Sequence, residues 1–460
     1  MIKENKIIKK LLNQKNIGPI FFITPNPNRG IGSEKEIKDY HIICAQNSDL
    51  IDYLKEAKIS VFCINNESIK NSGKILEDKK VLNYIKSKSK DQIANVITFK
   101  PSPKIQKICE DNDFRYIGND WKLNRRLENK VEFVNITNKL NIPNAKSKIT
   151  RVENSEEFKS QFDSKEKYVI QLPRGFSGNS TFLIKDRNDL KKIIENFKGR
   201  TVKLSKYLNG DTYTINVCVG KFGIILSQPI FQITGLTDFN KNQLGTSGND
   251  YQQKNKFLNK QKEEIFKLTK KIGEYMKKLD YKGIFGLDYI VNEKSIDLIE
   301  VNPRLIASIP VFTKLQIQNK EIPFLFLHFL EFLNISYNVK QLSPYLSYEE
   351  WENKNDYNFS QLILRNTKIV SIKIIKSIVS GIYELKNDKL ILKQKTYYTK
   401  ELKQNEVFIQ CLKKDSIINS DMEYANIQFP HSVMKNENID KSTKKIIDLI
   451  LSKMKLKEIN

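Results

Sequence analysis

Four polar residues, Asp288, Glu300, Asn302 and Arg304, interrupt two otherwise apolar segments, Gly283-Ile-Phe-Gly-Leu-Asp-Tyr-Ile-Val291 and Ile296-Asp-Leu-Ile-Glu-Val-Asn-Pro-Arg304. The polar run Asn292-Glu-Lys-Ser295 reads as a turn, so the segments are expected to pair as antiparallel strands. Alternate side chains of a strand share a face, which puts Glu300 and Asn302 on one side. Folding the pair about its turn brings Asp288 opposite Glu300, to within one residue. Two carboxylates facing each other across strands repel. A hard divalent cation removes that repulsion and takes oxygen ligands from carboxylates and amides. Asp288, Glu300 and Asn302 therefore read as one Mg²⁺ site, with Mn²⁺ as the alternative ion. Arg304 follows at once, and its planar fork suits a carboxylate or phosphate. A surface hairpin with solvated acids is the bland alternative, and the apolar flanks argue against it.

The pattern Gly-x-x-Gly-x-Asp followed by Ile-Glu-x-Asn-Pro-Arg resembles the signature of the ATP-grasp superfamily. The resemblance implies that the carboxylates and Asn302 hold Mg²⁺ on the phosphates of ATP. It also implies that Arg304 binds a substrate carboxylate or the group in transfer, so Arg304, Asn302 and Glu300 become the expected catalytic set.

Further segments extend the resemblance. Lys130 precedes an amphipathic helix that ends near Asn141-Ile-Pro143, the setting of a family lysine that reaches the phosphates. Tyr168-Val-Ile-Gln-Leu-Pro-Arg-Gly-Phe-Ser-Gly-Asn-Ser-Thr181 reads as strand, Gly/Ser loop and second strand. Gly175 and Gly178 let backbone N–H groups approach an anion closely, and Ser177, Ser180 and Thr181 add hydroxyls. With Asn179, this loop is similar to the one that covers the triphosphate. Gln171 stands where the family has Lys and brings no charge; Arg174 is a nearby cation. Thr201-Val-Lys-Leu-Ser-Lys-Tyr-Leu-Asn-Gly210 resembles the hinge strand along adenine. The resemblance implies adenine contacts from Ser205, Lys206, Tyr207 and Leu208, through the backbone at Lys206 and Leu208. Ser205 departs from the usual Glu. Gln228–Gln232 and the Gly-rich stretch Gly245–Asp250, read as a loop before a long helix starting near Gln252, fall where related enzymes line the acceptor site. Asn249 there is either an acceptor contact or a plain N-cap.

These residues need scaffolds on either side. The 460-residue chain is long enough for two or three domains, and 39% hydrophobic residues exclude global disorder. Residues 1–118 alternate short apolar strands with helices, the pattern of a parallel α/β sheet. Its first strand is Pro19–Thr24. The loop Pro25-Asn-Pro-Asn-Arg-Gly-Ile-Gly32 follows where open α/β sheets place ligands. Its Gly-x-Gly lacks the third glycine of a dinucleotide fingerprint, so an ordinary loop is the simpler reading. Such a domain resembles the one that precedes many ATP-grasp folds. Residues 119–335 are then the nucleotide-binding domain. Residues 336–460 read as a β-rich cap with a terminal helix from Ser442 to Met454. The fold class is mixed α/β and α+β, with a layout like biotin carboxylase. The apolar run Ile322–Leu333 is too short for a bilayer span and reads as a buried helix behind the hairpin.

The net charge of +25 raises nucleic acid as a partner. The excess is nearly all Lys, spread along the chain beside abundant Asn and Ile, which is the bias of an AT-rich genome. A generally basic surface accounts for it better. The five cysteines form no Cys-x-x-Cys pair and read as reduced core residues, and three dispersed histidines suggest no zinc site. With no signal peptide or span apparent, the expected location is the cytoplasm.

The resemblance implies an ATP-dependent carboxylate–amine ligase working through an acyl phosphate and releasing ADP and phosphate. Its substrates would be small molecules, an amino acid or short peptide among them, and a homodimer is compatible with the sequence. Two alternatives stay open: a carboxylase that uses carboxyphosphate, and a nucleotide-binding scaffold with a degraded site, which Gln171 and Ser205 favour.

Overall fold

The computed structural model describes residues 2–459 except 67, 164, 176–179, 253–256, 341–346, 355–356, 400 and 436–437, with side chains from residue 6 onward. The first strand, Ile20-Phe-Phe-Ile-Thr24, is buried along its whole length. A strand apolar on both faces belongs inside a parallel sheet covered on both sides. Accordingly β1 (Ile20–Thr24), β2 (Tyr40–Cys44), β3 (Ser60–Cys63), β4 (Asn95–Thr98) and β5 (Arg115–Tyr116) form a parallel sheet in the order β3-β2-β1-β4-β5. Strand order reverses between β1 and β4, the switch point at which such sheets bind ligands. The loop after β1 leaves from that point, and its Pro27–Gly30 winds into one 3₁₀ turn.

A small antiparallel sheet follows, made of β6 (Lys148–Arg151), β7 (Tyr168–Gln171), β8 (Thr181–Ile184) and β9 (Thr201–Lys206), in the order β6-β9-β7-β8. Lys130–Lys139 is the helix expected before it, capped by the Asn129 side chain on the Val131 amide. Next come β10 (Asp211–Gly220), β11 (Gly223–Leu226), β12 (Ile230–Thr234), β13 (Thr246–Asp250), β14 (Gly283–Val291) and β15 (Ile296–Asn302). The C-terminal strands are β16 (Ser360–Arg365), β17 (Ser371–Lys376), β18 (Gly381–Lys386), β19 (Lys389–Lys395), β20 (Glu406–Cys411), β21 (Ile417–Ile418), β22 (Glu423–Phe429), β23 (Met434–Lys435), β24 (Asn438–Ile439) and β25 (Lys455–Ile459). One antiparallel sheet runs β15-β14-β10-β12-β13-β16-β22-β20-β18-β19, with β11 beside β10. The pairing of β13 with β16 carries the hydrogen-bonded sheet from the middle of the chain into its C-terminal part. β21, β17 and β25 form a small separate sheet, and β23 pairs with β24.

Two expectations need correction. Gly245–Asp250 is not a loop: Thr246–Asp250 is β13, held between β12 and β16. Gly248 permits this, because a Cβ there would strike the backbone of Gln361 on β16. Asn249 therefore pairs within a sheet and caps nothing. The long helix runs from Asn259 to Lys278, seven residues later than read. The helix Phe324–Phe332 is buried, packs on β14 and β10, and supports the hairpin from behind as expected. Among the described residues no helix is long and apolar enough to cross a membrane.

Candidate active site

The hairpin β14–β15 pairs in the expected register, with Asp288 directly opposite Glu300 and Gly286 opposite Asn302. A bulge follows at Asp288/Tyr289, and bulges re-aim side chains beside functional sites. Gly283 opens β14 at φ +76°, and a Cβ there would run into the His328 ring from the supporting helix. Glycine is thus fixed at the head of the motif by both conformation and space.

The acids meet unequal surroundings. Asp288 accepts from Gln232 Nε2 at 2.7 Å and from Asn302 Nδ2 at 2.8 Å. Burial, then repulsion from Glu300, raises its carboxyl to about 6. Burial alone would raise Glu300 as well, but Lys130 outweighs it, aided by Arg304 and Lys203, and Glu300 is held below the usual value. Lys130 Nζ lies 2.5 Å from Glu300 Oε1, and the lysine is only 3% exposed. The site thus contains one carboxylate already neutralised by a lysine and a second that ionises reluctantly beside it.

Arg304 adds a guanidinium to the same cluster. Its Nη2 donates to Asn302 Oδ1 at 2.9 Å, its Nη1 to Leu305 O at 3.2 Å, and its Nε stands 3.6 Å from Glu128. The guanidinium carbon lies 5.0 Å from the centre of the Phe99 ring. Asn124 holds the turn by donating to Pro303 O.

On the small sheet, Gln171 donates to Thr181 Oγ1 at 3.2 Å and pairs in register with Lys203 of β9. Lys203, which carries no separate motif signal in the sequence, is a second buried cation near Glu300, behind Lys130. It is buried, its Nζ donates to Ile299 O at 2.9 Å, and it sits 4.1 Å over the Phe133 ring. Burial, then the neighbouring Lys130, depresses its ammonium to about 7, against the opposing pull of Glu300. Lys130, Lys203 and Glu300 therefore form one buried cluster between the small sheet and the hairpin. The only sequence signal for Lys203 was a charged residue at an inward position of an apolar strand.

The remaining expected residues divide. Gly175 touches Ser180, which leaves no room for a Cβ at 175, so the two ends of the glycine-rich segment meet; Thr181 begins β8. Lys130 N–H donates to Pro173 O, tying this segment to the helix start. Ser177, Gly178 and Asn179 lie outside the described residues. Ser205 is buried against Val169 O. The Lys206 and Tyr207 amides are taken by Ala145 O and Lys167 O, and the Lys206 ammonium turns outward to Glu166 at 3.1 Å.

A family profile for the ATP-grasp domain matches residues 117–308. Residues 117–308 are an ATP-grasp domain. Solved structures with the same fold extend over nearly the whole chain. The biotin carboxylase of Campylobacter jejuni, in complex with a β-γ-ATP ligand, aligns over 96% of this chain and 93% of its own with a TM-score of 0.60 at 13% identity. The N5-carboxyaminoimidazole synthase of Aspergillus clavatus, complexed with ADP and its aminoimidazole ribonucleotide, covers 95% and 99% with a TM-score of 0.55 at 11% identity. The phosphoribosylamine–glycine ligase of Thermotoga maritima covers 95% and 97% with a TM-score of 0.55 at 12% identity. At these identities the likeness is one of fold. No curated protein matches the sequence. The cluster of Asp288, Glu300, Asn302, Arg304, Lys130 and Lys203 lies on β14, β9, β15 with the residues just after it, and the start of the helix Lys130–Lys139, inside the matched residues.

Proposed function

We propose that this protein is an ADP-forming carboxylate–amine ligase, with residues 1–118 as a flanking α/β domain, 119–335 as the catalytic domain and 336–460 as a β-rich cap. One observation carries the reading: Glu300, opposite Asp288 on the hairpin, pairs with buried Lys130 and neighbours buried Lys203 inside the residues matched to an ATP-grasp domain. The donor set suits Mg²⁺. Two carboxylates and an amide are hard oxygen ligands, and a dication would offset the burial and the repulsion from Glu300 that together raise Asp288 to about 6. Asp288, Glu300 and Asn302 would hold it, and it would supply charge neutralisation on the ATP phosphates.

The substrate chemistry has two steps. A carboxylate oxygen attacks the γ-phosphorus of ATP, the bond to the β,γ-bridging oxygen breaks, and ADP leaves. The amine then attacks the acyl carbon, the acyl C–O bond breaks, phosphate leaves, and the ammonium proton passes to solvent. Lys130 and Lys203 place positive charge where phosphate oxygens gather. Gly175, Ser180 and Thr181, with Ser177, Gly178 and Asn179, bind phosphate, and Gln171 hydrogen-bonds without charge. Ser205, Lys206, Tyr207 and Leu208 line the adenine side. Arg304 orients the carboxylate and then the acyl phosphate. The work is positioning and electrostatics, so no covalent protein nucleophile is required.

The experiment is ADP release from MgATP against a panel of amino acids, short peptides and small carboxylates. A ligase shows ADP release that requires both a carboxylate and an amine. Absence of ADP release with every pair, together with intact MgADP binding, would support the scaffold reading. The near-complete alignment with biotin carboxylase favours one second reading, a carboxylase forming carboxyphosphate. Bicarbonate-dependent ADP release without an added carboxylate substrate separates it from the ligase.

A further inference from the structure

The strands β2 and β3 end on a pair of cysteines. Cys44 closes β2, Cys63 closes β3, and the two are register partners in the parallel sheet. Partners on neighbouring parallel strands point to the same face, so the two thiols stand side by side. They are in contact, and both donate to one acceptor, Gln46 O, from 3.9 Å for Cys44 and 3.5 Å for Cys63. Both are free thiols in the structure. Cys109, Cys218 and Cys411 are buried in three different hydrophobic clusters. Of the five cysteines, Cys44 and Cys63 are thus the juxtaposed pair.

The two thiols differ in access. β2 is buried along its length, whereas β3 is the edge strand and is only half-buried. Cys44 is fully buried and Cys63 is not. The Asn65 N–H donates to Cys63 Sγ at 3.4 Å, and a donor on sulfur favours the thiolate. The Cys44 thiol is pushed well up, first by the Cys63 thiol bonded to it and then by burial. Cys63 is therefore the thiol that an oxidant meets, and Cys44 the one placed to resolve it.

The spacing suits a bridge. Neighbouring strands lie roughly 4.8 Å apart, within the span of about 4.4–6.8 Å found between the α-carbons of disulfides. Both cysteines end their strands, and Asn65 turns the chain at φ +51° two residues past Cys63. The strand ends can adjust there without disturbing the middle of the sheet. A bridge that needs such adjustment is readily reduced again.

We propose that Cys44 and Cys63 are a peroxide-sensitive pair that forms a reversible intramolecular disulfide. The Cys63 sulfur attacks one oxygen of a hydroperoxide such as hydrogen peroxide, the O–O bond breaks, and the other oxygen leaves as water with the thiol proton. The resulting sulfenic acid is attacked at sulfur by Cys44. The S–O bond breaks, the S–S bond forms, and the hydroxyl leaves as water with the Cys44 proton. The two thiols lose two electrons and two protons, and the peroxide takes up both. The pair lies against the segment Ala45–Ser48. There the Ala45 and Gln46 amides donate to Pro25 O, where the loop after β1 begins, and Ser48 bridges to Leu412 of the C-terminal part. Oxidation withdraws both S–H donors from this segment.

The test is a thiol count and a peptide map of the full chain, first reduced and then treated with hydrogen peroxide. Two of the five thiols should be lost, with one pair of peptides joined through Cys44 and Cys63, and dithiothreitol should restore all five. Cys44→Ser should instead leave a sulfenic acid on Cys63 that dimedone captures. Cys63→Ser should leave Cys44 reduced and the bridge absent. Circular dichroism checks that the variants fold, and the peptide map of the parent decides the pairing if either does not. A bridge through any other cysteine, a bridge between two chains, or loss of a single thiol as sulfinic acid overturns the proposal. So does retention of all five thiols under peroxide that converts free glutathione to its disulfide. ADP release plays no part in this readout, so failure of the ligase reading leaves it unaffected.

Discussion

Gln171 and Lys203 are register partners on adjacent antiparallel strands, so the neutral side chain at the usual phosphate-lysine position lies beside a buried lysine one strand away. In the proposed ligase reading, Lys203 supplies the charge that Gln171 does not. Lys203→Gln should therefore weaken MgATP binding by about tenfold or more, the scale of a charge-assisted hydrogen bond. Gln171→Lys alone should lower the melting temperature of the nucleotide-free protein, because a third ammonium would join Lys130 and Lys203. The exchange Gln171→Lys with Lys203→Gln should recover much of the lost affinity. Nucleotide titrations and melting curves on the three variants check this. Full MgATP affinity in Lys203→Gln would remove Lys203 from the phosphate site.

Lys130 and Glu300 give a second prediction. Removing one partner of a buried ion pair leaves the other charge uncompensated, at about 3–5 kcal/mol when both are fully buried. Glu300 keeps 23% exposure, so Lys130→Met should cost less, about 1–3 kcal/mol. The same change should weaken MgATP binding. Glu300→Gln should leave the fold intact and abolish turnover. Denaturation without ligand and ADP release on the same preparations measure both effects, and full turnover in Glu300→Gln at limiting Mg²⁺ would refute the metal assignment.

The hairpin was legible because its information is local. Apolar flanks, a short polar turn and strand alternation are enough to place Asp288 opposite Glu300. Lys203 was hidden for the opposite reason. In a chain so rich in lysine, one more at an inward strand position is a weak signal, and its value depends on which residue of β7 it faces. The strand Thr246–Asp250 was hidden by composition: Gly, Ser, Asn and Asp disfavour strands, and only pairing on both sides overrides that. The buried face of β16, β22 and β20 carries amides at alternate positions in Asn426-Ile-Gln428 and one each at Gln361 and Gln410. Alternation told which residues share a face. It could not tell that a loop from the start of the chain would lie over them.

Asp288 supplies a pH test. Its carboxyl is raised to about 6 by burial and by Glu300, above the ordinary unfolded value of about 3.9. A raised carboxyl favours the folded state at low pH, and that contribution is lost as pH rises through the folded value. At pH 7.5 the folded protein thus carries an unfavourable charge that Asp288→Asn removes. The variant should melt higher than the parent at pH 7.5, and the gap should shrink toward pH 5, where Asp288 is mostly protonated. Melting curves without Mg²⁺ across this window are the measurement. A gap that is constant with pH would show that Asp288 is not strained by its neighbours.

Arg304 is held by three separate partners, Asn302 Oδ1, Leu305 O and Glu128. A guanidinium can meet all three because its donors point in fixed and different directions. A lysine keeps the charge and can reach only one or two. In the ligase reading the guanidinium must also face a substrate carboxylate and then the acyl phosphate formed from it. Loss of charge stabilisation of that kind typically costs about 10²–10³ in rate. Arg304→Lys should accordingly lose turnover on that scale, with MgATP affinity little changed, because in that reading Lys130, Lys203 and the glycine-rich segment would hold the phosphates. Its melting temperature should fall only modestly, since Phe99 and Asn302 keep their other neighbours. The measurement pairs nucleotide titration with single-turnover ADP release on one preparation. Undiminished turnover, or a loss confined to MgATP binding, would take Arg304 out of acyl transfer and leave the carboxylate to be held by another group.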